Sequence, residues 1–267
     1  PYFSIIIPAL NEARYLPKLL TDLVSQTFQD FEVIVVDGGS KDKTVALVKD
    51  FTHQLPQLTL ISSSKAHVCA QRNLGVKHAK SDILIFSDAD NRLPPYFLQG
   101  AKYRWESVSS NILSFWIKPD ISNPKNEAIA TAINTFLGLQ NNLKPSYLME
   151  CLFVISRDVF LSLGGFDESK NYAEGKTLIQ SAAGAGYKSK IARDPQYYFS
   201  FRRFRKYGIM NIASRMATME LAELIGPEFH AKQASKLYPM LGGALFNKPK
   251  KAKNKFLKNI AKILKDF

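Results

Sequence analysis

The sequence predicts an α/β fold: a mostly parallel, Rossmann-like sheet flanked by helices, followed by a helical, basic C-terminal extension. Three observations carry that expectation. Short apolar runs alternate with segments of helical spacing through the first half of the chain. The runs are apolar throughout, the pattern of parallel strands covered on both faces. Residues 248–267 hold eight lysines and a single acid, Asp266, on a helical repeat.

The elements follow in order. Residues 3–7 form the first apolar run, stopped by Pro8. Residues 13–26 place Leu16, Leu19, Leu20 and Leu23 at helical spacing. Residues 31–36 form the second run and lead into Asp37-Gly38-Gly39-Ser40. A helix is expected over 43–51, a short strand over 58–61 and a helix over 68–78. The run 83–86 ends in Ser87-Asp88-Ala89-Asp90, and Pro94 opens the next helix, where proline suits the first turn. The second half is less regular. Strands are expected over 112–117 and 152–156, and helices over 127–139, 158–163, 176–185 and 208–225. No internal repeat is visible.

Composition narrows the function. With 267 residues, 46% hydrophobic and 22% charged, the chain buries a full core and is not disordered as a whole. The net charge of +13 is uneven. It belongs to the 248–267 tail and to the cluster Arg202, Arg203, Arg205 and Lys206, and the remainder is close to neutral. That distribution argues against a nucleic-acid partner. Cys69 and Cys151 form no CxxC and no scaffold, which fits a reducing compartment. No apolar run approaches the ~18–20 residues of a membrane span, and no secretory signal pattern is seen. The expected location is cytoplasmic and peripheral at the membrane face.

In parallel α/β sheets, ligands bind beyond the carboxyl ends of the strands. Three segments stand there. In Asp88-Ala89-Asp90, residues two apart on extended backbone point the same way, so both carboxylates can converge on one cation. Hard divalent ions want oxygen ligands and are commonly shared with substrate phosphates. A solvated acidic turn is the bland alternative, weakened because the pair follows a buried strand. Asp37 could accept hydrogen bonds from a base or ribose, and the glycines beside it permit close backbone approach; alternatively Ser40 caps a helix. Asn11-Glu12 could likewise cap the helix expected from residue 13. Arg72-Asn73, taken alone, reads as a surface pair on a helix.

Taken jointly, these segments are more specific. The order Ile6-Ile7-Pro8-Ala9-Leu10-Asn11-Glu12, Val35-Val36-Asp37-Gly38-Gly39-Ser40, Gln71-Arg72-Asn73-Leu74-Gly75 and Phe86-Ser87-Asp88-Ala89-Asp90 resembles the family 2 nucleotide-sugar glycosyltransferases, which are inverting and have a GT-A fold. The resemblance covers roughly residues 1–207. It implies that Pro8, Ala9, Asn11 and Glu12 line the nucleotide pocket and that Asp37 contacts the base with Gly39 nearby. It implies that Arg72 reaches the donor diphosphate or sugar. Asp88 and Ala89 would face ribose or sugar, and Asp90, with Asp88, would hold Mg²⁺ or Mn²⁺ on the diphosphate. It also places Arg202 and Arg203 near that diphosphate.

On the acceptor side, Met149-Glu150-Cys151-Leu152 and Gly164-Gly165-Phe166-Asp167-Glu168 resemble the family's acceptor segments. The family then usually has Glu-Asp, whose second acid is the base. Here the pair reads Glu174-Gly175. A hydroxyl acceptor needs a carboxylate to take its proton. Glu174 is the nearest candidate, with Asp167 and Glu150 in reserve. A phosphate acceptor such as a polyprenyl phosphate would need no strong base, so the departure also fits that acceptor class. A catalytically inactive membrane-binding protein is a further alternative. A sugar-nucleotide pyrophosphorylase would need a glycine-rich phosphate loop after the first strand, and residues 8–12 offer none.

In the tail, Phe256, Leu257, Ile260, Ile263, Leu264 and Phe267 share one helical face with lysines opposite, a pattern suited to an anionic membrane surface. Residues 238–246, apolar with aromatic ends, are read as dipping into the same interface. The expected organisation is a catalytic domain over 1–206, with a nucleotide-sugar half (1–118) and an acceptor half (119–206), then a helical region over 207–267. The expected partners are a nucleotide-diphosphate sugar, a glycan or lipid-linked acceptor and an anionic membrane.

Overall fold

The computed structural model describes residues 1–140, 149–170, 172–239 and 241–246. The basic tail over 248–267 lies outside the described residues. The described chain forms a mixed sheet with helices on both faces, then a helical C-terminal region. Its strands are β1 (Phe3–Ala9), β2 (Phe31–Asp37), β3 (Leu58–Ser62), β4 (Ile83–Ser87), β5 (Ile112–Pro119), β6 (Leu152–Ser156) and β7 (Ser189–Phe199). Their order is β3-β2-β1-β4-β6-β5-β7. Pairings are parallel except those of β6 with β4 and with β5. The α/β expectation is met.

Each central strand is apolar on both sides because both sides are covered. Every residue of β1 and of β2 is buried. Ile5, Ile7, Val33 and Val35 join one core with Leu16, Leu19, Leu20 and Leu23 of α1 (Leu16–Val24) and Phe97, Leu98 and Ala101 of α4 (Phe97–Ser107). Ile6, Ile34, Val36 and Phe86 join the other with Cys69 and Val76 of α3 (Val68–His78), Phe160 of α6 (Arg157–Ser162) and Leu178 of α7 (Glu174–Gly184). Successive strand residues thus face opposite cores, as a pleat requires.

Strand order reverses between β1 and β4, which lie side by side while β2 and β3 continue the other way. The crevice at such a switch point is where α/β sheets bind ligands. Gly75 brings α3 down onto it: a Cβ there would stand 2.5 Å from Ile6 Cγ2. The close approach lowers the preceding turn of α3, with Gln71 and Arg72, to the strand ends.

The structure refines several expectations. The first helix begins at Leu16, because Ala13–Tyr15 form a turn. The edge strand β7 escaped the sequence reading. Its interior Arg193-Asp194-Pro195 breaks the apolar pattern, and proline is tolerated in sheets mainly on edge strands or at bulges. The pairing of β5 with β7 is irregular between Phe115 and Ile117, and the Asp194–Pro195 peptide is cis. Residues 202–207 form the short helix α8 (Arg202–Tyr207), between α7 and α9 (Ile209–Ile225). Helix α10 (Pro227–Leu237) was missed because its sequence is mostly polar; it packs on α9. The two proposed halves share one sheet: β6 and β7 lie on either side of β5. No helix among the described residues is long and apolar enough to cross a membrane.

Candidate active site

The segments at the carboxyl ends of β1, β2 and β4 converge. Pro8 and Ala9 end β1, buried, and the Ala9 carbonyl accepts the N–H of Gly38 at 2.9 Å. Asn11 takes the left-handed conformation (φ 55°), which asparagine tolerates better than most residues. Its N–H donates to Ser40 Oγ at 2.7 Å, and its Oδ1 accepts the N–H of Lys41 at 2.8 Å. The Glu12 N–H donates to Thr44 Oγ1 at 2.8 Å. These bonds tie the loop after β1 to the loop after β2. Neither Asn11 nor Ser40 caps a helix as the alternative reading had it: the residues before α1 and before α2 (Thr44–Asp50) are Tyr15 and Lys43. Asp37 is buried and turned onto its own loop, accepting the N–H groups of Gly39 and Ser40 at 3.0 Å each. Gly39 has φ 87°, a conformation few other residues adopt.

Three consecutive residues of α3 do three different jobs. The Gln71 amide donates to the carbonyls of Ala9 (2.8 Å) and Val36 (2.6 Å), stitching the ends of β1 and β2 together. Asn73 brackets the turn after α6. Its Nδ2 donates to the Phe166 carbonyl and its Oδ1 accepts the Phe166 N–H, both at 2.9 Å. Arg72, far from being a surface residue, is 1% exposed. Its Nη2 donates to Asp88 Oδ1 at 2.8 Å and to the Glu150 carbonyl at 3.1 Å, and its Nη1 to Glu174 Oε1 at 3.0 Å. The guanidinium lies 5.2 Å from the Phe166 ring centroid. Burying a guanidinium is tolerable only with this density of partners.

A second arginine completes the far side. Arg202 forks onto Glu12 (2.7 and 2.9 Å), and its Nε stands 2.7 Å from Asp90 Oδ2. Tyr15 and Phe246 flank it, with ring centroids at 4.8 and 4.3 Å. Phe246 arrives on a 3₁₀ turn (Gly242–Phe246), within the segment read as an interfacial dip. The Gly243 N–H donates to the Leu10 carbonyl at 2.8 Å. A Cβ on Gly243 would fall 1.9 Å from the Asn11 carbonyl oxygen, so only glycine fits there. That docked turn went unread; the Gly242-Gly243 pair inside an apolar run was its only signal. Arg203 points elsewhere. It is exposed, 5.8 Å from the Tyr238 ring centroid, while Arg205 forks onto Asp120 at 2.7 Å.

The centre is therefore five carboxylates, Glu12, Asp88, Asp90, Glu150 and Glu174, laced by two guanidiniums. The excess of acids shows in their titration. Burial, with Asp90 and Glu174 adding to it, pushes Asp88 up to about 6 against the pull of Arg72. Burial also raises Glu12, against the pull of Arg202. Burial and the neighbouring Glu174 push Glu150 up to about 8, although Arg72 and the N–H groups of Gly175 and Lys176 pull the other way. Asp167 is exposed and held below its ordinary value by the hydroxyl and N–H of Ser169. Asp167 and Glu174 share a cleft of about 220 Å³ between the Gly164-Gly165 turn and α7. No set of three or more His, Cys, Asp or Glu side chains among the described residues forms a closed metal cage. Asp88 and Asp90 are the candidate oxygen donors here for a divalent ion of the kind commonly shared with substrate phosphates.

Known proteins share this fold. The chain is 23% identical over 211 residues to the poly(ribitol-phosphate) beta-N-acetylglucosaminyltransferase TarS of Staphylococcus aureus, a match covering 75% of this chain and 36% of TarS. The fold matches the structure of TarS in complex with UDP, with TM-score 0.60 and 21% identity over 89% of this chain and 70% of that one. It also matches the mannosyltransferase PcManGT from Pyrobaculum calidifontis in complex with GDP-Man and Mn²⁺, with TM-score 0.65 and 19% identity over 98% of this chain and 79% of that one. The chain spans about a third of the length of the curated relatives it matches. The description of glycosyl transferase family 2 matches residues 4–194, which takes in β1 through α7, the β4 acidic pair and the Arg72 cluster. With that match across most of its length, the chain belongs to glycosyl transferase family 2.

Proposed function

We propose that the chain transfers a sugar, with inversion, from a nucleotide-diphosphate sugar to a glycan or lipid-linked acceptor close to a membrane. One observation carries the reading: two carboxylates after β4, Asp88 and Asp90, meet a buried arginine, Arg72, and a partly buried one, Arg202, at the switch point of the sheet. The nucleotide would lie along Pro8, Ala9, Asn11, Glu12, Asp37 and Gly39, with Ala89 and Asp88 on the ribose or sugar side. Asp90 and Asp88 would hold Mg²⁺ or Mn²⁺, which when bound stabilises the charge developing on the departing diphosphate. Arg72 and Arg202 fix those carboxylates and set positive charge beside the place of the diphosphate. The UDP and the GDP-Man with Mn²⁺ held by the two similar structures support the donor class and the metal. Anything that binds only the folded chain raises its melting temperature. In a thermal-shift screen, the matching nucleotide sugar with Mn²⁺ at about 100 times its Kd is expected to raise Tm by about 5 °C or more. A panel in which no nucleotide moves Tm would sink the donor assignment.

The membrane side of the reading rests on two features. Met210, Ala213, Ala217, Leu221 and Leu224 of α9 are exposed at helical spacing, forming an apolar stripe. The lysine-rich 248–267 segment supplies charge for anionic lipid. Deleting residues 248–267 is expected to weaken sedimentation with anionic liposomes, more so at low salt. Equal binding of the truncated and full chains would refute this.

A further inference from the structure

Gly175 stands where the resemblance implies a base, and the space beside it is filled. A Cβ at residue 175 would stand 2.4 Å from Glu150 Cγ and 2.9 Å from Glu150 Cδ. No side chain fits at 175 while Glu150 holds this position. The Glu150 carboxylate accepts the Lys176 N–H at 3.1 Å, so it sits on the first turn of α7, against the segment where the family's second acid would start. Glu174, the other candidate, is committed differently: its side chain is 12% exposed and bound to Arg72 at 3.0 Å. Its Oε1 is thus taken up by the guanidinium and is not open to an acceptor hydroxyl.

We infer that Glu150 is the proton acceptor for a hydroxyl-bearing acceptor, its carboxylate having taken over the place vacated at Gly175, and that Glu174 is a positioning residue acting through Arg72. The inference rests on the proposed transferase activity. In the step, the acceptor hydroxyl gives its proton to a Glu150 carboxylate oxygen while its oxygen forms a bond to the anomeric carbon. The bond from that carbon to the diphosphate oxygen breaks, and its electron pair leaves with the nucleoside diphosphate. Glu150 then returns its proton to water. The groups facing Glu150 are Arg72 from α3, Glu174 and the Gly175 and Lys176 N–H groups from α7. Burial and Glu174 outweigh Arg72 and the two N–H groups, leaving Glu150 a stronger base than an ordinary carboxylate, matched to proton transfer near neutrality.

The test compares wild type, E150Q, E150D, E174Q and the exchange variant E150G/G175D, using a donor that wild type turns over and Mn²⁺. E150Q is expected to lower kcat about 10²–10⁴-fold. Its calorimetric affinity for the nucleoside diphosphate should stay at the wild-type value. E150D should keep intermediate activity, and the exchange variant should regain part of what E150Q loses. A folding defect is separable. The raised Glu150 value means that the folded chain binds this proton more tightly than the unfolded one, so its contribution to stability falls as pH rises from about 4.5 to about 8. E150Q removes that decline and should melt no lower than wild type at the upper end of this range. Wild-type-like kcat in E150Q would overturn the assignment, as would a loss of nucleotide affinity as large as the loss of kcat. If wild type transfers sugar to a polyprenyl phosphate and E150Q matches it, Glu150 has no such role. Wild type that turns over no nucleotide sugar defeats the transferase reading itself.

Discussion

Arg72→Leu is expected to cost about 3–5 kcal/mol of stability and to abolish turnover. The cost follows from what remains. Leucine fills much of the space, but the Asp88 and Glu174 carboxylates and the Glu150 carbonyl each lose their partner in a crevice with too many acids already. Breaking a buried pair from one side leaves the other charge uncompensated, which is why the penalty exceeds that of a surface pair. The loss should also depend on pH. Arg72 draws the Glu150 value down toward the ordinary carboxylate range, so removing it moves that group's ionisation further up. More proton is then bound in the folded state than in the unfolded one at neutral pH, and stability falls faster as pH rises. Urea unfolding should therefore show a larger deficit at pH above about 8 than near about 5. An equal deficit at both would mean that Arg72 does not hold this carboxylate.

Asp90→Ala should behave in the opposite way, with the fold intact and the chemistry lost. Arg202 keeps its fork on Glu12 when Asp90 is removed, and Tyr15 and Phe246 still flank it. Losing one acid also relieves Glu12, which Asp90 helps to push up. Melting temperature should change little. Turnover should drop at least about 10³-fold, because a metal clamp supplies several kcal/mol to the leaving diphosphate and each ~1.4 kcal/mol is tenfold in rate. The contrast separates two arginine-bound carboxylates that look alike in sequence. Asp88 is held by the buried scaffold and Asp90 by a group that a diphosphate could draw away.

The sequence made the sheet legible where its physics is local. Runs such as 31–36 and 83–86 are apolar throughout because both sheet faces are covered, and the acids just beyond them stand out for that reason. Asp88, Asp90, Asp37 and Asn11 were found this way, and the structure brings them to one crevice. What stayed hidden depends on long-range packing. Nothing near Arg72 in sequence says that it is buried; its partners Asp88, Glu150 and Glu174 lie 16, 78 and 102 residues away. Strand β7 was hidden by Pro195 and the charges beside it, which an edge position tolerates. Arg202 and Arg203 look equivalent in sequence, yet one face of α8 turns Arg202 to Glu12 and Asp90 and leaves Arg203 exposed. Gly175 looked like a lost acid. Only the position of Glu150, 25 residues earlier in the chain, shows that its space is occupied.

The most direct test of the transferase centre is nucleoside diphosphate release from a panel of nucleotide sugars, with and without Mn²⁺, by wild type and D90A side by side. The expected result is release by wild type with at least one donor, dependent on the metal and lost in D90A. No release by wild type with any donor, or undiminished release by D90A, would contradict it.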